Sequence, residues 1–240
     1  MSEVLIGTSA YANADAKLLK EAGIAWVRQG FPYPFKDRLE GELSDEFRKA
    51  KAQAEAWAAK GFKIMGHTPL IGIGTQKPDA QGRLALTWTD RYPAYMGRLG
   101  AEGFCHNYEA ICGRLARELR GLVAMWQVLN EMDISIFAGP LSPRQSCELI
   151  IHGARGLKAA DPDLMVGTNT AGVPKAYYIY GRLHFLARVR LDYCGVDAYY
   201  GTWEAGGPER WSERIAELYE LTQTKVLVNE WGYSSAGELM

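Results

Sequence analysis

The chain has 240 residues, 48% of them apolar, enough to build one large domain or two small ones. Its 27 lysines and arginines balance 28 acids, so the basic stripe of a nucleic-acid-binding protein is missing and that class is set aside first. The longest apolar runs fall far short of the ~20 residues that cross a bilayer, and MSEVLIGTSA has neither a basic leader nor a long apolar stretch; no membrane partner and a cytoplasmic location are expected.

Cys105, Cys112, Cys147 and Cys194 show neither CxxC nor metal-finger spacing and read as scattered buried thiols rather than a disulfide framework. Along the chain, short apolar runs alternate with helical periodicity, the pattern of repeated βα units on a parallel sheet. VLIGTSA (4–10) is the first run, and NADAKLLKEAG after it reads as a helix stopped at Gly23. IAWVRQGF (24–31) is the second. Ser44 is then an N-cap with Asp45 and Glu46 in the first turn, and Phe47, Ala50, Ala54, Trp57 and Ala58 form an apolar stripe at 3.6-residue spacing. FKIMGHTP (62–69) is the third run, followed by an insertion containing glycine and proline over 70–90 and a long helical region ending near Arg120.

VAMWQVLNE (123–131) is the fourth run. Ser142-Pro143 marks the next helix start, and Ile150, Ile151, Ala154 and Leu157 give that helix a buried stripe. LMVGTNTAG (164–172) and LDYCGVDAYYG (191–201) are the fifth and sixth runs; a helix carrying Trp211, Ile215, Leu218 and Thr222 leads to the seventh, KVLVNEWGYSS (225–235). No linker or low-complexity tract interrupts this rhythm, so a single domain over 1–240 is expected.

Seven strands separated by helices fit an α/β fold of the (β/α)8, TIM-barrel type better than an open sheet, and no GxGxxG follows the first strand. Arg28, His67, Asn130, Glu131, Asp197, Tyr199 and Glu230 all fall at or just beyond the C-terminal ends of their runs. In barrels that face carries the chemistry.

LNE at 129–131 and VNE at 228–230 each end a nearly continuous apolar strand in a glutamate. Strand alternation puts Gln127, Leu129 and Glu131 on one face, and Val226, Val228 and Glu230 on one face of the seventh strand. If both faces look into a barrel mouth, two carboxylates converge, one pKa should rise, and the pair has the acid and the carboxylate that glycosidic cleavage needs. A separation of about 5–5.5 Å gives a retaining mechanism. The plain alternative is two rim glutamates meeting arginines.

WQVLNEMD resembles the strand-four motif of clan A glycoside hydrolases, the retaining β-glycosidase barrels, and VLVNEWGYSS resembles their strand-seven motif. ADAKLLKEAGIAWVRQGF resembles the first helix and second strand of the same clan. The resemblance implies that Glu131 is the general acid/base, Glu230 the nucleophile, Asn130 a holder of the sugar 2-hydroxyl and Arg28 a brace for the nucleophile. It implies that Tyr199 hydrogen-bonds the nucleophile. His67 is a subsite residue or a structural histidine; Trp203 and Trp231 are sugar platforms or core. The implied partner is a β-linked glycoside or saccharide, with no cofactor.

Asp197 stands two residues before Tyr199, where several families of the clan carry histidine. The chain stops soon after the seventh strand, whereas such barrels take about 250 residues or more. The expectation is a barrel without its eighth strand and closing helices, a fragment of a longer hydrolase whose bare edges favour self-association. Two rivals remain. A divalent-metal sugar isomerase or epimerase would use His67, Glu131, Asp197 and Glu230 as ligands; a carbohydrate-binding barrel would use the same mouth without catalysis.

Overall fold

The computed structural model describes residues 5–9, 13–172, 175–186, 189, 191–202 and 204–232. In chain order the elements are β1 (Gly7–Ser9), α1 (Ala16–Glu21), β2 (Trp26–Gly30), α2 (Asp45–Ala59), β3 (Lys63–His67), β4 (Gly72–Pro78), β5 (Leu84–Asp90), α3 (Glu102–Glu118) and β6 (Val123–Gln127). They continue as α4 (Ser135–Ala138), α5 (Pro143–Ala160), β7 (Met165–Thr170), α6 (Lys175–Gly181), β8 (Tyr193–Ala198), α7 (Arg210–Thr222) and β9 (Lys225–Trp231). Each of the seven apolar runs therefore carries a strand. No described helix is long and apolar enough to cross a membrane.

The chain packs as two compact units, Met1–Leu70 with Tyr92–Val128 and His152–Val166, and Ile71–Arg91 with Leu129–Ile151 and Gly167–Met240. In the first, β1, β2, β3 and β6 pair in parallel in the order in which the chain makes them. Residues of β2 alternate. Val27 is fully buried and Gln29 donates from Nε2 to the Ala50 carbonyl of α2 at 2.7 Å, while Arg28 lies on the opposite face. The core here is Val27, Phe47, Trp57, Ile64, Trp126, Tyr108, Ile111 and Leu115. A Cβ on Gly156 of α5 would stand 2.1 Å from the Glu109 carbonyl oxygen of α3, so these two helix backbones touch at a spacing that only glycine permits.

In the second unit β7, β8 and β9 are parallel neighbours, again in chain order. Every residue of β8 is buried, as in a strand covered on both faces, whereas β9 is only half-buried. The segment 70–90, expected as an insertion, forms an antiparallel hairpin pairing Gly72 with Asp90 through Pro78 with Leu84. Its turn is closed by Asp79, whose carboxylate accepts the Gln81 and Arg83 amides and the Arg83 guanidinium. Glycine and proline in β4 and the solvated face of β5 hide the strand signal that Thr87, Trp88 and Thr89 carry.

The cap expected at Ser44 is formed. Its Oγ accepts the Phe47 amide at 3.2 Å and donates to the Tyr33 carbonyl, tying the start of α2 to the loop before it. Ser44→Ala should lower the unfolding free energy by about 1 kcal/mol, read from the midpoint of a urea transition at unchanged slope.

Candidate active site

Glu131 does not arrive on a regular strand. β6 ends at Gln127, and the chain beyond it turns through two left-handed residues, Leu129 at φ 58° and Glu131 at φ 41°. Side chains other than glycine and asparagine reach that region at a cost of roughly 1–3 kcal/mol each, so surrounding bonds must hold the segment. They come from the end of β7: the Glu131 amide donates to Asn169 Oδ1 at 3.0 Å, and the Ala171 amide donates to Asp133 Oδ1 at 3.0 Å. The expected alternation of Gln127, Leu129 and Glu131 on one strand face is therefore replaced by a strained turn.

Glu230 is also placed by an irregularity. Val196 pairs with Val228, but the next pair is Asp197 with Glu230, so Asn229 is an extra residue in β9. Such a bulge re-aims the side chain that follows it. Gly195 makes room: a Cβ there would stand 2.6 Å from Asn229 Oδ1 and 2.8 Å from the Thr168 carbonyl oxygen. The bulge sets Glu230 beside Asp197, which is 1% exposed.

One carboxylate oxygen from each of Glu131, Asp197 and Glu230 lies within 4.8 Å of the other two. Neutral donors answer this negative charge. Tyr199 donates its hydroxyl to Glu230 Oε2 at 2.8 Å, Asn130 donates Nδ2 to Glu131 Oε2 at 3.3 Å, and Asn169 donates Nδ2 to Asp197 and, at 3.0 Å, to Asn130 Oδ1. Burial, the bond to Glu230 and the three nearby carboxylates push the Tyr199 phenol well above its ordinary range, so it stays protonated and a donor.

The structure thus brings Asn130, Glu131, Tyr199 and Glu230 together and adds Asp197 and Asn169 to them. Asn169 drew no attention in the sequence because TNT reads as an ordinary buried strand end. The signal available was a carboxamide near the C-terminal end of the fifth apolar run. Trp231 is 73% exposed and lines a cleft of about 300 Å³ with Tyr200, Pro208, Trp211, Val228 and Gly232. Trp203 lies outside the described residues.

Arg28 and His67 belong to the first unit. Arg28 donates from Nε to Gln127 Oε1 at 3.1 Å, and His67 is paired in register with Gln127. Burial, and then the Arg28 guanidinium, lower the His67 pKa from 6.5 to about 3, so its imidazole is neutral at ordinary pH.

The fold and the carboxylates define a class: seven parallel strands with helices between them, the architecture of a (β/α)8 barrel, bearing acids at or beyond the C-terminal ends of the strands. No protein-family model and no curated protein sequence matches the chain. Among solved structures it is similar to a glucosidase from Croceicoccus marinus, with 16% identity and a TM-score of 0.65 over 98% of this chain and 53% of that one. An exo-β-1,4-mannosidase from Opitutaceae bacterium strain TAV5 matches with 12% identity and a TM-score of 0.64 over 96% of this chain and 46% of that one. A family 1 glycoside hydrolase from Thermotoga maritima, complexed with a cyclophellitol analogue, gives 13% and 0.62 over 93% and 67%. This chain spans about half the length of the first of them. The resemblance drawn from the strand-end motifs therefore holds at the level of fold.

A histidine that is neutral when folded and protonates near 6.5 when unfolded makes the unfolded state the better proton binder between pH 6.5 and about 3. Stability should fall as the pH drops through that window. Relative to His67→Asn, the unsubstituted protein should lose up to about 1.4 kcal/mol per pH unit there, measured by urea unfolding at pH 7, 6, 5 and 4. A difference that stays flat across these pH values would show that His67 takes up its proton in the folded protein.

Proposed function

We propose that this chain carries the catalytic site of a retaining β-glycosidase. The observation that supports the reading above others is the spacing of Glu131 and Glu230, whose nearest carboxylate oxygens lie within 4.8 Å. Retaining enzymes hold the pair at ≈ 5–5.5 Å, whereas inverting enzymes leave ≈ 6.5–9.5 Å for a water. In the first step a Glu230 oxygen attacks the anomeric carbon while Glu131 gives its proton to the departing glycosidic oxygen. A glycosyl ester on Glu230 and the free alcohol result. In the second, Glu131 takes a proton from water, the hydroxide adds to the anomeric carbon, and the Glu230 carboxylate leaves. Two inversions return the β configuration.

The neighbours support these roles. Tyr199 holds and orients Glu230 through one carboxylate oxygen. Asn130, adjacent to the acid, is suited to bind the sugar 2-hydroxyl, a contact that strengthens in the transition state. The substrate class that follows is a β-linked glycoside; the similar structures include proteins named as a glucosidase and a mannosidase.

Glu230→Ala should cut turnover of aryl β-glycosides by roughly 10⁴-fold, and azide or formate should restore a product of inverted configuration. Glu131→Ala with the same anions should instead give a product of retained configuration, which polarimetry or NMR of the released sugar distinguishes. Exchange of these two stereochemical outcomes would exchange the two roles.

A divalent-metal reading rests on the same three carboxylates, whose oxygen-only donor set suits a hard cation. Activity that vanished on chelation and returned with magnesium or manganese would favour it over the glycosidase.

A further inference from the structure

We propose that Asn169 is a positioning residue for the acid/base, orienting both the Glu131 turn and the amide of Asn130; the role rests on the glycosidase reading above. Three observations carry it. Asn169 is fully buried at the end of β7, between the turn that bears Glu131 and the strand that bears Asp197. Its Oδ1 accepts the Glu131 amide at 3.0 Å, at a residue whose φ of 41° needs external support. Its Nδ2 is shared between Asp197 Oδ2 and, at 3.0 Å, Asn130 Oδ1.

The direction of this hydrogen-bonded series is dictated by its backbone end. A backbone amide only donates. Asn169 accepts the Glu131 amide, so its carboxamide has a single orientation, with Oδ1 toward Glu131 and Nδ2 toward Asp197. The second Nδ2 hydrogen then requires an acceptor, and Asn130 supplies Oδ1. That in turn leaves Asn130 Nδ2 on the far side, where it donates to Glu131 Oε2 at 3.3 Å. The Glu131 amide thus sets the polarity of two carboxamides in series and, through them, the donor that faces the acid/base.

Two measurements on the full chain test the proposal, one independent of turnover. Amide exchange at Glu131 should quicken at least about tenfold in Asn169→Ala, which removes the acceptor, with β7 and β8 amides unchanged. In Asn169→Asp, closer in shape to the original, the acceptor survives and exchange should stay slow. The second measurement compares leaving groups. Misplacing the acid should cut kcat/KM for a methyl β-glycoside by roughly 100-fold in both variants. A 2,4-dinitrophenyl β-glycoside, which departs without a proton, should change by less than about threefold. Unchanged Glu131 exchange in Asn169→Ala, or equal losses on the two substrates, would overturn the positioning role. If the unsubstituted protein turned over neither substrate while the exchange effect persisted, the glycosidase reading would fall and Asn169 would still hold the turn.

Discussion

Three carboxylates brought within 4.8 Å of one another are the constraint around which the second unit is organised. Carboxylates that only accept hydrogen bonds repel one another in a partly dry site, and burial deepens the cost. The structure meets this with donors that bring no charge of their own: a phenol on Glu230, a carboxamide on Glu131 and a carboxamide on Asp197. Each donor belongs to a residue at or just past a strand end, so the parallel strands supply the compensation along with the acids. A neutral donor steadies a carboxylate without quenching its charge.

Neither glutamate is delivered by regular secondary structure. Glu131 stands on a left-handed turn and Glu230 follows a bulge that depends on the absence of a side chain at Gly195. Regular parallel strands would space their ends by the sheet geometry alone. A bulge and a turn re-aim individual side chains, and here one oxygen of each carboxylate comes within 4.8 Å of the others. The strain at Leu129 and Glu131 is a reason to expect the tight bonding from the end of β7 that is observed there.

Much of the fold was legible in the chain. The seven apolar runs, the cap at Ser44 and the helix start at Pro143 depend on local rules, burial pattern and capping chemistry, and each is found in the structure. The hairpin of β4 and β5 escaped because its glycines, proline and solvated face weaken the period-two pattern. Within the candidate site, residue types at strand ends single out Asn130, Glu131, Tyr199 and Glu230, which the structure brings together. The error was in how Glu131 is carried: alternation was extended through 128–131, and a left-handed leucine has no signature in a run of apolar residues. Asn169 was missed for the complementary reason, since only the tertiary structure places it between Asp197 and the Glu131 turn.

The two Asn-Glu pairs show why such a motif has meaning only in context. In LNE the asparagine turns toward its own glutamate, and Asn130 donates to the Glu131 carboxylate. In VNE the asparagine is the extra residue of the bulge, its side chain lying over Gly195, and Glu230 takes its hydrogen bond from Tyr199 on the adjacent segment instead. One dipeptide therefore yields a buried carboxylate held by its sequence neighbour and a half-exposed one held across the sheet. Two identical acids thereby acquire different surroundings, one enclosed by its own turn and the end of β7, the other carried on a half-buried strand.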